Sequence, residues 1–80
     1  MEVKLLSKLG CGEKGKVVRI RGAAAMHRYL CESGLVVGRM ISIEKTSLTP
    51  LGDPIEVRVN SSVLALEKEV AANIQIEVAK

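Results

Sequence analysis

Aromatic side chains are almost missing: the chain has one tyrosine, Tyr29, and neither tryptophan nor phenylalanine. That scarcity argues against stacking platforms for single-stranded nucleic acid and against grooves for proline-rich peptides, since both depend on planar rings. Histidine is nearly as scarce, with His27 alone. There is no Gly-x-Ser-x-Gly nucleophile turn, no Gly-x-x-x-x-Gly-Lys-Ser/Thr phosphate loop and no carboxylate pair set apart from ordinary strand charges, so no enzyme is expected. No apolar run approaches the roughly 18 residues of a membrane span, and Met1-Glu2-Val3-Lys4 leads on without an apolar signal region. The two cysteines, Cys11 and Cys31, fit neither a Cys-x-x-Cys motif nor zinc-ribbon spacing. A cytoplasmic protein with reduced thiols is the expectation.

What remains is an aliphatic chain. Of its 80 residues 48% are apolar, enough for one compact core in a single domain over residues 1–80. Charge is uneven: residues 1–40 hold eight basic and three acidic residues, residues 41–80 four basic and six acidic. Lys14, Lys16, Arg19 and Arg21 form a basic cluster. It would suit an acidic partner surface or nucleic acid, but a formal net charge of +3 is also ordinary for a soluble domain, and no nucleic-acid partner is expected.

Alternation of charged and β-branched residues over 15–21 predicts a half-buried strand, ended by Gly22. The alanine-rich stretch that follows predicts a helix over about 23–33, with Ala23, Met26 and Leu30 on one face. Gly34 then stands where a helix stop takes a left-handed residue, with Leu35 behind it. Alternation returns at Ile41 and Ile43, at Ile55, Val57 and Val59, at 63–67, and at Ile74, Ile76 and Val78, with a short helical turn before the last run. About five short strands with one helix between the first and second are best accommodated by a small, mainly β, SH3-like barrel.

Two places invite a functional reading. His27 and Cys31, four apart, would share a helical face and could reach one Fe(II) or Zn(II) ion, with Cys11 or Glu32 as a third donor. Two ligands do not make a site, so neither a metal nor another cofactor is assigned. The second place is the nine-residue connection from Thr46 to Pro54, long for a hairpin and partly apolar. Its Leu48 and Leu51 are either a plug for the open end of the barrel or an apolar contact for another protein. Gly52 supplies the reversal, while Asp53 and Pro54 set where the next strand begins.

Four stretches carry a family resemblance: Leu30-Cys31-Glu32-Ser33-Gly34-Leu35-Val36-Val37-Gly38, then Pro50-Leu51-Gly52-Asp53-Pro54-Ile55-Glu56-Val57, then Leu64-Ala65-Leu66, and last Ala71-Ala72-Asn73-Ile74-Gln75-Ile76-Glu77-Val78. In this order and spacing the chain resembles the FeoA family of bacterial ferrous-iron uptake. Val37 stands where the family favours proline, Ser33 where it favours Leu or Met, Tyr29 where Arg is common and Asn60 where a turn glycine is frequent. The resemblance implies an SH3-like barrel that assists or regulates the ferrous transporter FeoB by binding its cytosolic region. On that reading Leu30, Glu32, Leu35, Leu48, Leu51 and Asp53 are candidate contacts, whereas Gly34, Gly38, Gly52 and Pro54 serve backbone geometry. A monomer or weak homodimer is expected, peripheral to the membrane only through its partner.

Overall fold

The structure is a computed structural model that describes residues 2–46 and 54–79. Its strands are β1 (Val3–Leu5), β2 (Lys14–Ile20), β3 (Met40–Lys45), β4 (Ile55–Val59), β5 (Ser62–Leu66) and β6 (Ile74–Val78). A 3₁₀ turn, Leu6–Lys8, follows β1. Helix α1 (Ala24–Glu32) joins β2 to β3, and the one-turn helix α2 (Lys68–Ala71) precedes β6. The strands form one six-stranded sheet in the order β1-β6-β2-β3-β4-β5, every neighbouring pair antiparallel.

Among the described residues six strands therefore replace the five expected, and the helix follows the second strand rather than the first. The addition is β1, whose three residues are too few to show alternation. Pairing rather than pattern makes it a strand, with Val3 opposite Glu77, Lys4 opposite Ile76 and Leu5 opposite Gln75. The expected helix, the turn before the last strand and the other strands all form, with ends differing by a residue or so.

Inward positions follow the alternation. Ile41 and Ile43 of β3, Ile55, Val57 and Val59 of β4, and Ile74 and Ile76 of β6 are buried. They join Leu6, Leu9, Val17, Leu30, Leu35, Leu66 and Ala71 in one cluster. A single sheet whose inner face supplies one core must curl on itself. Register shifts between Val17 and Arg19 and between Ile43 and Lys45 supply bends of the kind that allow it. Where β2 crosses β6, Gly15 is buried: a Cβ there would run into the Glu77 carbonyl and lie 2.5 Å from Ile76 Cγ2. Only glycine lets the two backbones approach so closely.

Helix α1 is attached by few side chains. Leu30 is fully buried and Met26 packs half-buried against the core, but Ala23, expected on the same face, is the exposed N-cap. The anchoring is concentrated at the helix exit. Leu35 N–H donates to the Leu30 carbonyl (2.9 Å) and Gly34 N–H to the Cys31 carbonyl (3.0 Å), with Gly34 at φ +89°. These are the two crossed hydrogen bonds of a Schellman stop, which also brings the residue after the glycine against the one three back from the helix end. Here that pair is Leu35 and Leu30, and both go into the core.

Candidate functional site

Just beyond the helix exit the chain turns again, at Val36–Arg39. Arg39 N–H closes onto the Val36 carbonyl (3.1 Å), and Gly38 takes φ +94° with nothing within 4 Å of where its Cβ would sit. The need for glycine is thus one of backbone conformation, the positive φ of a turn's third position. The turn is fastened to β2 on both sides: Gly38 N–H donates to the Val17 carbonyl (2.7 Å), and Val17 N–H donates to the Arg39 carbonyl (2.9 Å). Val37 is left at the rim, 61% exposed.

The turn forms one wall of an open groove of about 720 Å³ on the outer face of β2, β3 and β4. Residues paired across strands share a face. One row therefore runs Lys14, Ser42, Arg58, Val63, and the next sets Lys16 beside Met40. Met40 is 51% and Val63 47% exposed. Lys14, Arg39 and Arg58 all line the groove, with Val36, Val37, Met40, Ile41 and Asn60, and no carboxylate does so among the described residues. Arg39 Nη1 donates to Asn60 Oδ1 at 2.8 Å, and Asn60 itself holds φ +58°, a left-handed geometry asparagine tolerates. Arg58 is paired with Glu44 and Lys16 with Glu77 at 3.9 Å. Lys14 has no ion-pair partner among the described residues. The arrangement is a basic wall over a partly apolar floor.

The residues singled out from the sequence fall into different settings. Leu30 and Leu35 are fully buried, which corrects their assignment as partner contacts: the helix stop turns both inward. Glu32 is exposed. Gly34 has the positive φ of a left-handed helix stop, Gly38 also takes a positive φ, and Pro54 stands exposed directly ahead of β4. Leu48, Leu51, Gly52 and Asp53 lie outside the described residues. His27 and Cys31 do meet at one place, a smaller pocket of about 260 Å³ that they line with Ile20, Leu35, Val36 and Val37. No group of three His, Cys, Asp or Glu side chains is gathered there or elsewhere among the described residues. Cys11 is engaged apart from them, its thiol donating to the Glu44 carbonyl at 3.2 Å.

Sequence reasoning missed the groove, because its cations come from separate stretches. Lys14 was visible as part of the basic cluster, but only the strand register sets it in one row with Arg58.

The FeoA domain family model matches residues 4–78. A curated Fe(2+) transport protein A/Fe(2+) transporter FeoB fusion protein of Porphyromonas gingivalis (strain ATCC BAA-308 / W83) is 32% identical over 72 residues; the match takes in 90% of this chain and spans only 8% of that protein's length. The FeoA protein of Chlorobium tepidum superimposes with a TM-score of 0.87 at 31% identity, over 96% of this chain and 71% of that one. A zinc complex of the FeoA protein of Stenotrophomonas maltophilia, described as an SH3-domain protein, gives a TM-score of 0.71 at 27% identity over 92% and 87% of the two chains. The curled six-stranded sheet is therefore an SH3-like barrel.

Proposed function

The chain belongs to the FeoA family, and on that premise we propose that it is a non-enzymatic accessory protein of ferrous iron uptake, acting by binding the cytosolic region of a FeoB-type transporter. The observation that carries this reading is the Porphyromonas gingivalis relative, in which a segment similar to this chain is part of a FeoA/FeoB fusion. Two modules on one polypeptide share a compartment and face each other at high effective concentration, so even a weak contact between them is populated. A separate chain of the same kind needs a surface of its own for that contact. The basic groove with exposed Val37 and Met40 supports this reading as a surface of that kind. Among the described residues no helix is long and apolar enough to cross a membrane. The transporter reading itself would put the protein at the cytoplasmic side, through its partner.

Titration of the protein with the soluble GTP-binding region of its own organism's transporter, followed by calorimetry, tests this. Saturable binding with one defined stoichiometry is the expected result. No heat and no co-elution at high concentrations of both proteins would remove the reading.

A metal-sensing role has His27 and Cys31 in a shared pocket in its favour, but two donors fall short of the three or four that zinc takes from protein. Nucleic-acid binding through Lys14, Lys16, Arg19 and Arg21 has less support still, since Lys16 is already paired with Glu77.

A further inference from the structure

The groove carries more information than its existence, because its chemistry restricts what can lie in it. Three cations line it and no carboxylate does among the described residues. Among the described residues, three of the five exposed large hydrophobics, Val37, Met40 and Val63, lie along it or in the adjoining row of the sheet. We infer that the groove is the docking site for an acidic polypeptide segment that sets an aliphatic side chain on Val37 and Met40 and carboxylates on Lys14 and Arg39. The inference rests on the transporter reading, and the segment is assigned to the transporter's cytosolic region.

The division of labour follows from the contacts. Arg58 is occupied by Glu44, so its charge is largely spent within the sheet. Lys14 has no ion-pair partner among the described residues. Arg39 is held in place by one hydrogen bond to a neutral acceptor, Asn60 Oδ1, which orients the guanidinium while leaving its charge uncompensated. A planar, fixed guanidinium is suited to a carboxylate. Between these charges Val37 and Met40 are solvated at 61% and 51%, and covering them favours association through apolar burial. Charge would steer the encounter and set the register, while the apolar contact holds the complex.

Polypeptide fits better than a lipid surface or a nucleic acid. Both of those present continuous negative charge, and the same outer face carries Glu44 and Glu77 beside Arg58 and Lys16.

The test compares affinities for the transporter's soluble GTP-binding region by calorimetry. The double variant Lys14→Glu/Arg39→Glu is set against Lys8→Glu/Arg28→Glu, which changes net charge equally at exposed positions away from the groove. Val37→Asp probes the apolar rim, and thermal unfolding verifies that each variant folds. Expected are losses of about tenfold or more for the groove double variant, a comparable loss for Val37→Asp, little change for the control, and weakening of wild type as ionic strength rises from about 0.05 to about 0.5 M. Folded groove variants that bind like wild type would overturn the groove and leave the functional reading standing. Failure of wild type to bind would overturn both. Tighter binding of wild type to vesicles of phosphatidylglycerol and phosphatidylethanolamine, lost in the same double variant, would replace the polypeptide with a membrane surface.

Discussion

Leu30 and Leu35 close the helix, and Val37 and Met40 follow within a few residues, yet the two pairs have opposite fates. The leucines have no exposed surface, whereas the valine and the methionine are 61% and 51% exposed. Composition does not distinguish them. The leucines are drawn in by the crossed hydrogen bonds of the Schellman stop, which bring their side chains together over the core. Val37 sits on a turn whose backbone is fastened to β2, and Met40 is carried outward by the alternation of β3, beside Lys16. Leu30 and Leu35 hold the fold together. Val37 and Met40 do little for it, and their exposure among cations makes sense as a contact surface.

The contrast can be broken at several points. The largest effect is expected at the helix exit: Leu30→Ala or Leu35→Ala should cost about 2–5 kcal/mol, a large share of the total stability of so small a domain, and urea denaturation measures it. Gly34→Ala should cost about 1–2 kcal/mol, because its φ of +89° is unfavourable for any residue with a Cβ while the nearest atom, Val59 Cγ1 at 3.6 Å, leaves room. Its effect should appear as a shifted urea midpoint with unchanged slope. Met40→Ala should change stability by no more than about 0.5 kcal/mol yet weaken partner binding, a separation of the two readouts that Leu30→Ala cannot produce. The smallest effect concerns Lys16→Met, which removes an exposed ion pair with Glu77 and should move stability by about 0–1 kcal/mol. An exit substitution that left stability unchanged, or a Met40 substitution that unfolded the protein, would collapse the distinction between the two regions.

Much of the fold was legible from periodicity. Ile41 and Ile43, Ile55 to Val59, and Ile74 and Ile76 point inward as their alternation requires, and glycine at 34 and 38 marks two positive-φ stops. Strand β1 was not legible, because three residues carry no period and its existence depends on pairing with a strand some seventy residues later. The candidate site was far less visible. Leu30 and Leu35 looked like contacts because the family resemblance is strongest there, but the Leu-x-x-x-Gly-Leu exit has a packing reason, since both leucines are buried. His27 and Cys31 do share a pocket, as helical spacing suggests. The groove depends on which of two sheet faces each cation takes and on which strands lie side by side. Both are tertiary facts: Lys14, Arg39 and Arg58 come together only once β2, β3 and β4 are in register.

The most direct test of the account is a ¹⁵N–¹H spectrum of the labelled protein titrated with the transporter's soluble GTP-binding region. The account predicts shifts concentrated at 36–42, at Lys14 and at 58–60, with the buried amides of Leu30 and Val57 little changed. Shifts confined to the opposite surface, around Leu5 and Glu69, or no shifts with the partner in excess, would contradict it.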